Sequence, residues 1–511
     1  GIHLQNSQHW TTKKDKESGR NIADLSNTPD PSAICPLNGH TSAERNALTA
    51  DCISRYGPIN LPTIQELLLM ILDMADRHGW DLLCLWKMDL RGAFNLLWIN
   101  PDDTPLLAFP LTNDLVVIHL VGIFGWLGMP FAFNVLSRTL LILIVAAISG
   151  RAAMYVDDVM GCSTFPLIDQ DMAATHTAIT GLAGDDSVAP DKVEKGRSLE
   201  FIGWIVNLNS RTITASPRIL LKTTHALFSF HVDDRVSQLQ LQRLASLLSR
   251  LSMLCTYMRP FTRHLAIESA QFLPDSNVKH NLSTAAKGEI WMWRALLLIL
   301  QSPGIRLHRS IESFRPFSPT FELQYDASLT QLAVGLYLVP GQNRVLQRFT
   351  ALMLPFPVTN DSSRQNTCEY LAIVLGLLLA ATLHISDATY VLYGDSISSL
   401  AWATSGHAAS DLAIRANLAI TALSAHLNVH VINTVHVPGT ETETVTYDGL
   451  SRGRTATDVG LPPSLQVVFP HLSPVVEYIT LCDPALSTPT ATDLVELMGR
   501  FLTILRNLPR D

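Results

Sequence analysis

The apolar and polar positions of this chain change rhythm several times. Between residues 61 and about 209, short apolar runs alternate with helical segments. Residues 61–78 read as a helix, and 82–88, 115–119, 152–156 and 199–206 read as strands. This mixed order suggests an α+β sheet. Residues 235–264 read as one or two amphipathic helices, and 284–300 as another that carries Trp291 and Trp293. Residues 321 to about 452 restart a strand-strand-helix-strand-helix pattern, the mark of a second, α/β domain. The first 60 residues are polar, rich in Asn, Thr, Pro and Lys, and weakly periodic. Beyond Arg454 the chain is rich in Pro, Thr and Leu, with one helix expected over 491–508. The divisions fall at 1–209, 210–275, 276–320, 321–453 and 454–511.

At 511 residues the chain is too long for one core and should form about three domains or more. A hydrophobic share of 47% against 16% charged excludes wholesale disorder. The net charge of -8 argues against a uniformly basic nucleic-acid binder, although a local positive groove is compatible with it. Cys35, Cys52, Cys84, Cys162, Cys255, Cys368 and Cys482 are scattered and form no Cys-x-x-Cys, which points to a reducing, intracellular compartment and no zinc knuckle. The apolar runs 140–149 and 371–385 are shorter than the roughly 20 residues of a membrane span, so both are expected to be buried helices and no membrane partner is expected. The start at Gly1, without Met, suggests a piece or processed product of something longer.

Tyr155-Val156-Asp157-Asp158 concentrates the chemistry. Apolar, β-prone flanks around two Asp favour a hairpin with carboxylates at its tip. Adjacent carboxylates repel, and a hard divalent ion is the usual remedy. Asp89 ends the apolar strand 82–88, so Asp89, Asp157 and Asp158 become candidates for one metal site. Two Mg²⁺ ions about 3.5–4 Å apart would serve an in-line phosphoryl displacement. Taken singly, Asp89 could equally cap a helix and Asp157-Asp158 form a solvated turn.

In order, these pieces resemble the palm of reverse transcriptases. Asp89-Leu90-Arg91-Gly92-Ala93-Phe94 is similar to the first catalytic motif, residues 124–133 (FGWLGMPFAF) to the template-positioning motif, and Tyr155-Val156-Asp157-Asp158 to the family signature. Leu199-Glu200-Phe201-Ile202-Gly203-Trp204 resembles the primer-grip hairpin, which would bring Phe201, Gly203 and Trp204 to nucleic acid. The resemblance implies a right-hand polymerase fold with fingers, palm and thumb, acting on an RNA template, a DNA primer and dNTPs. It places Phe94 beneath the incoming sugar, where a ring excludes a 2′-hydroxyl; a core Phe is the alternative. Lys192 falls where the family carries a proton donor to pyrophosphate. Lys13 and Arg20 resemble the fingers residues that grip triphosphate oxygens. Between residues 235 and 264 there are five Arg and no acid, and Arg243 and Arg250, seven apart, share a face opposite leucines, as a duplex-tracking thumb helix would need.

Asp326, Glu369, Asp395 and Asp448, in that order, resemble the ribonuclease H active site, which uses four acids and two Mg²⁺ (or Mn²⁺) to hydrolyse the RNA strand of an RNA-DNA hybrid. His436-Val437-Pro438-Gly439 through Asp448-Gly449-Leu450-Ser451-Arg452 resembles the end of that domain in retroelements. Residues 441–447 depart from the pattern: the Asn and Ala-Asp of the family are missing and the segment is two residues longer, which bears on His436 and Asp448. The whole resembles a DIRS-like or Ty3-like retrotransposon polyprotein segment. The alternative is a decayed or host-retained relic that folds and binds nucleic acid without activity.

Overall fold

The computed structural model describes residues 7–12, 19–24, 59–110, 114–124, 128–229, 231–271, 278–300, 307–315, 318–341, 343–354, 362–405, 414–439 and 442–469, with scattered positions from 496 to 503. The expected helix over 491–508 lies largely outside the described residues. The chain divides into two compact units, one of residues 1–202 and 206–210, the other of 203–205 and 211–511.

In the first unit, β1 (Ser7–Thr12) and β2 (Gly19–Asp24) form an antiparallel pair. Helix α1 (Ile64–His78) starts at a capping box in which Thr63 accepts from the Glu66 amide and Glu66 accepts in return from the Thr63 amide. It buries Leu67, Leu68, Ile71 and Leu72 against a four-stranded antiparallel sheet. That sheet contains β3 (Leu83–Asp89), β4 (Arg151–Tyr155), β5 (Asp158–Thr164) and β6 (Glu194–Gly196), ordered β4-β5-β3-β6. Helices α2 (Gly128–Ala147) and α3 (Ile168–Ala183) also pack on it. A buried polar chain stiffens the sheet. Trp86 Nε1 donates to Ser163 Oγ at 3.0 Å, Ser163 donates to Asp171 Oδ2 at 2.6 Å, and the buried Asp171 accepts the Ser149 and Gly150 amides. Gly161 is obligatory beside it, because any Cβ there would enter the Trp86 ring.

Three expectations need correction. The stretch 199–206 is not one strand but two, β7 (Ser198–Phe201) and β8 (Trp204–Asn207), parted by Ile202 and Gly203 at φ 47° and 77°. The run 140–149 is only half buried: Leu140 and Ile144 face the core, but Ile142 and Val145 face outward, because one stripe of a helix suffices to cover the sheet. Finally, α2 and residues 364–382 are, at 20 and 19 residues, long and apolar enough to cross a membrane, contrary to the shorter spans expected; the second is 78% buried inside the protein.

In the second unit, β9 (Thr212–Ala215) leads to α4 (Pro217–Phe228) and α5 (Gln238–Leu251), the latter capped by Ser237 and Gln240. The 235–264 segment, expected as one or two helices, forms α5, a 3₁₀ stretch Thr256–Thr262 that contains Pro260, and the start of α6 (Arg263–Gln271). Helix α7 (Thr284–Leu300) and β10 (His308–Ser310), which pairs with β9, follow. A five-stranded mixed sheet then forms from β11 (Phe321–Ala327), β12 (Gln331–Leu338), β13 (Val345–Met353), β14 (Thr389–Gly394) and β15 (His430–His436). Its order is β13-β12-β11-β14-β15; the first three are antiparallel, and β14 and β15 run parallel to β11. Helix α8 (Ser362–Thr382) covers the Leu323 face through Gly376, with α9 (Ile397–Ser405) and α10 (Ile414–Leu427) beside it. Helix α11 (Thr442–Ser451) covers the opposite face, where Tyr447 lies over Gly335 and meets the Tyr337 hydroxyl at 2.7 Å.

Candidate active sites

The first constellation is built on the β4–β5 hairpin. Tyr155 pairs with Asp158, leaving Val156 and Asp157 as a two-residue turn, with Val156 at φ 56°. Positive φ at the first turn residue suits the twist of a hairpin, but for a β-branched residue it costs about 1–3 kcal/mol. The strand pairing on either side sustains that strain and sets the acids at the tip. Asp89, at the end of β3, is the register partner of Asp158, so their Cβ atoms share one face. Asp157 sits in the turn, and its carbonyl accepts the Leu90 amide at 3.0 Å. The register therefore sets Asp158, rather than Asp157, opposite Asp89. The side chains of Asp89, Asp157 and Asp158 are not gathered into a ligand cluster. Instead Lys192, on a 3₁₀ turn after Pro190, forms an ion pair with the buried Asp89 carboxylate. The Ala189 amide donates to the Asp89 carbonyl at 2.9 Å, which fixes that turn beside the strand end. Lys87, on the same face as Asp89, pairs with Glu194 at 2.9 Å. Desolvation raises the pKa of Asp158, and Lys87 partly offsets the rise.

Phe94 lies in a short 3₁₀ turn after Gly92, a left-handed residue at φ 69°. Its ring is buried against Phe124 and Phe133, at centroid distances of 4.8 and 5.5 Å. This is the packing of a core residue. Lys13 lies outside the described residues; Arg20 sits on β2 opposite Thr11, and nothing of its side chain is described. Phe201 and Trp204 are 2% and 3% exposed, so strand alternation turns them inward and leaves Ile202 and Gly203 as the tip of their turn. That corrects the expectation that both rings reach nucleic acid. Arg243 is exposed on α5, whereas Arg250 lies over the Trp204 ring at 5.4 Å. The buried face of α5 comprises Leu241, Leu244, Leu248 and Leu251, as expected; Leu239 is exposed.

The second constellation is tighter. Ligand atoms of Asp326, Glu369 and Asp395 all lie within 4.8 Å of one another, the one such grouping of three or more among the described residues. Asp326 stands near the carboxyl end of β11 and Asp395 just beyond β14, so two parallel strands deliver them to one sheet edge. Glu369 comes from α8. Ser451 Oγ donates to Asp326 Oδ2 at 2.6 Å, and Gln365 Nε2 donates to Glu369 Oε1 at 3.1 Å, one helical turn away. Burial pushes Glu369 up to about 9, with Asp326 and Asp395 adding repulsion. Burial likewise pushes Asp326 up to about 6 and raises Asp395, and the negative charge of Asp448 adds to both. Asp448, on α11, is held by Arg452 at 2.7 Å. His436 bonds the Asp395 carbonyl at 3.0 Å through Nε2. Sequence reasoning missed Ser451 and Gln365: a hydroxyl and an amide carry no signal until the fold aims them.

The site passes a test for a hard divalent ion. Its donors are all carboxylate oxygens, and Glu369 Oε2 is buried without a hydrogen-bond partner. A buried orphan oxygen among repelling acids is the donor set Mg²⁺ or Mn²⁺ takes.

No protein-family model matches the chain, and no curated protein matches it. Among solved structures it is similar to a foamy viral protease-reverse transcriptase, dRH form, in complex with double-stranded DNA. That similarity has 12% identity and a TM-score of 0.37 over 84% of this chain and 65% of that one. It is also similar to the foamy viral protease-reverse transcriptase with double-stranded DNA (13% identity, TM-score 0.36, 85% of this chain and 78% of that one). A third similarity is to that protein with an RNA/DNA hybrid (13%, 0.32, 70% and 44%). The chain thus spans about 65% of the length of the first of these. Likeness at these scores decides nothing about activity, which is argued from the residues alone.

Proposed function

We propose that the chain is an RNA-directed DNA polymerase with ribonuclease H activity, a segment of a retrotransposon polyprotein of DIRS-like or Ty3-like kind. In this reading residues 1–209 are fingers and palm, 210–275 thumb, 276–320 connection and 321–453 the ribonuclease H domain. The observation that carries it is the presence of two separate carboxylate constellations, one in each unit: Asp89 opposite Asp158 at a hairpin tip, and Asp326, Glu369 and Asp395 at a sheet edge.

Mg²⁺ or Mn²⁺, when bound, supplies charge neutralisation at phosphoryl oxygens and an activated oxygen nucleophile at neutral pH. Asp326, Glu369 and Asp395 would hold it in the second unit, with Asp448 completing the set; Asp89, Asp157 and Asp158 would do so in the first. The chain's own residues do the rest. Lys192 carries a proton on an ammonium beside Asp89, placed to assist a leaving pyrophosphate. Ser451 fixes the Asp326 carboxylate, and Arg452 fixes Asp448. Arg243 offers phosphate contact to a duplex of RNA template and DNA primer. The buried free thiols Cys84, Cys162, Cys255 and Cys368 support a reducing intracellular compartment.

The test uses primer extension with dNTPs and cleavage of a labelled RNA-DNA hybrid, both with Mg²⁺. Asp326→Asn is expected to stop hybrid cleavage and spare extension, and Asp89→Asn to do the reverse. Loss of both activities in either variant sinks the two-site assignment. Absence of both in the wild-type protein favours the relic.

A further inference from the structure

We propose that the second unit carries a ligand site distinct from its acid cluster: a cavity beside Tyr257 that takes a small phosphomonoester dianion. The cavity, of about 200 Å³, lies among the 3₁₀ stretch Thr256–Thr262, α8, α9, α10 and the starts of β14 and β15. Tyr390 lines it near the amino end of β14, whereas Asp395 follows the carboxyl end of that strand, so the two sites occupy opposite edges of the sheet.

The lining is rich in polar side chains (Thr256, Tyr370, Tyr390, Asn417, Thr421, Ser424) and contains one cation, Arg259, and no carboxylate. These groups are held in place. Tyr370 donates to Asn417 Oδ1 at 3.1 Å, Thr421 donates to the Tyr257 carbonyl at 3.3 Å, and Ser424 bonds the Tyr390 hydroxyl.

Among the described residues, the two guanidiniums near the cavity, Arg259 and Arg309, lack a counter-ion. Arg309 is 6% exposed, yet its partners are Ser313 Oγ, the carbonyls of Met253 and Ser313 and the Phe314 ring, all neutral. Arg259 is an exposed residue whose guanidinium no acceptor among the described residues engages, and it is near enough to Arg309 to repel it. Burial and the two guanidiniums push the pKa of His430 well down, so it adds a ring nitrogen rather than a charge. Its Nδ1 meets Thr256 Oγ1 at 3.0 Å, its ring stacks on Tyr257 at 5.9 Å, and its buried Nε2 has no partner. His308, a fourth basic group, is taken by Asp387 at 3.0 Å. The buried Arg309 guanidinium with only neutral partners is costly, and although it does not itself line the cavity, an anion beside the neighbouring Arg259 offsets part of that cost. Arginine forks fit phosphate and carboxylate alike, but two neighbouring guanidiniums, Arg259 in the lining and Arg309 behind it, favour a dianion. The volume lies below the roughly 300–1,000 Å³ of drug-sized sites, which suits phosphate or a sugar phosphate and excludes a nucleoside triphosphate.

The test is equilibrium dialysis of the full chain with labelled inorganic phosphate in EDTA, which silences metal-dependent binding at the acid clusters. Saturable binding at one site per chain is expected, weakened at least about tenfold by Arg259→Gln and unchanged by the distant Arg218→Gln. Should Arg259→Gln misfold by circular dichroism, Ala403→Phe, which fills the cavity, must abolish binding instead. Ribose 5-phosphate competing better than phosphate identifies a sugar phosphate as the ligand, and equal competition identifies free phosphate. Absence of saturable binding, full binding by folded Arg259→Gln or by Ala403→Phe, or equal displacement by succinate would overturn the proposal.

Discussion

The two acid constellations answer the same electrostatic problem in opposite ways. In the first unit the chain supplies its own counter-charges: Lys192 pairs with Asp89, and Lys87 opposes the rise of Asp158. In the second, three carboxyls crowd within 4.8 Å and burial drives Glu369 up to about 9, so Glu369 holds a proton in place of a cation. The difference follows from position. The hairpin tip lies beside the turn that carries Lys192 and the strand that carries Lys87, whereas the helix lying across the sheet end brings Glu369 to two further acids, whose repulsion adds to its desolvation. One site is therefore balanced within the polypeptide, while the other is poised to exchange a proton for a metal.

The largest effect that could break this comparison lies in activity. Glu369→Gln should lower hybrid cleavage by about 10²–10³-fold or more while extension stays within about twofold, and Asp157→Asn should give the mirror image. If both variants damage both reactions, the units do not work separately. Next comes Phe94. Packed between Phe124 and Phe133, its replacement by Ala should cost about 3–5 kcal/mol of stability, visible in urea denaturation. A stable Phe94→Ala protein that incorporates ribonucleotides more readily would restore the sugar-gate role and remove the core one. A smaller effect is expected at Ser451, which steadies Asp326. Ser451→Ala should reduce hybrid cleavage and Mg²⁺ affinity about 10–100-fold and leave extension untouched.

The smallest effect is a slope. Unfolded, Glu369 and Asp326 release their protons near their ordinary values of 4.5 and 3.8, but folded they keep them up to about 9 and about 6. The folded state binds more protons across that window. Stability of the metal-free protein should thus be fullest below about pH 4 and fall as pH rises towards 9. Thermal unfolding in EDTA measures it. Glu369→Gln should flatten the slope above pH 6, and Mg²⁺ should stabilise the wild type more at pH 8 than at pH 5. A profile indifferent to both would mean that the acids are not desolvated as their burial requires.

Much of the local structure was legible in sequence. Alternation and turn chemistry located β3, the hairpin around Asp157 and the strands that deliver Asp326 and Asp395, because a strand's period and a turn's residues are short-range properties. Helix 284–300 was likewise set by its own apolar face. What sequence could not settle was which partner each side chain meets. Phe201 and Trp204 carry the same letters whether they face nucleic acid or the core, and Lys192 the same charge whether it awaits a phosphate or holds Asp89. The break at Ile202 and Gly203, the outward half of α2, and the aim of Ser451 and Gln365 likewise follow from long-range packing. The sequence by itself determined which carboxylates exist and on which elements they ride. Only the tertiary structure decided that three of them would share a desolvated corner, because burial and mutual repulsion arise from distance through space, which spacing along the chain does not encode.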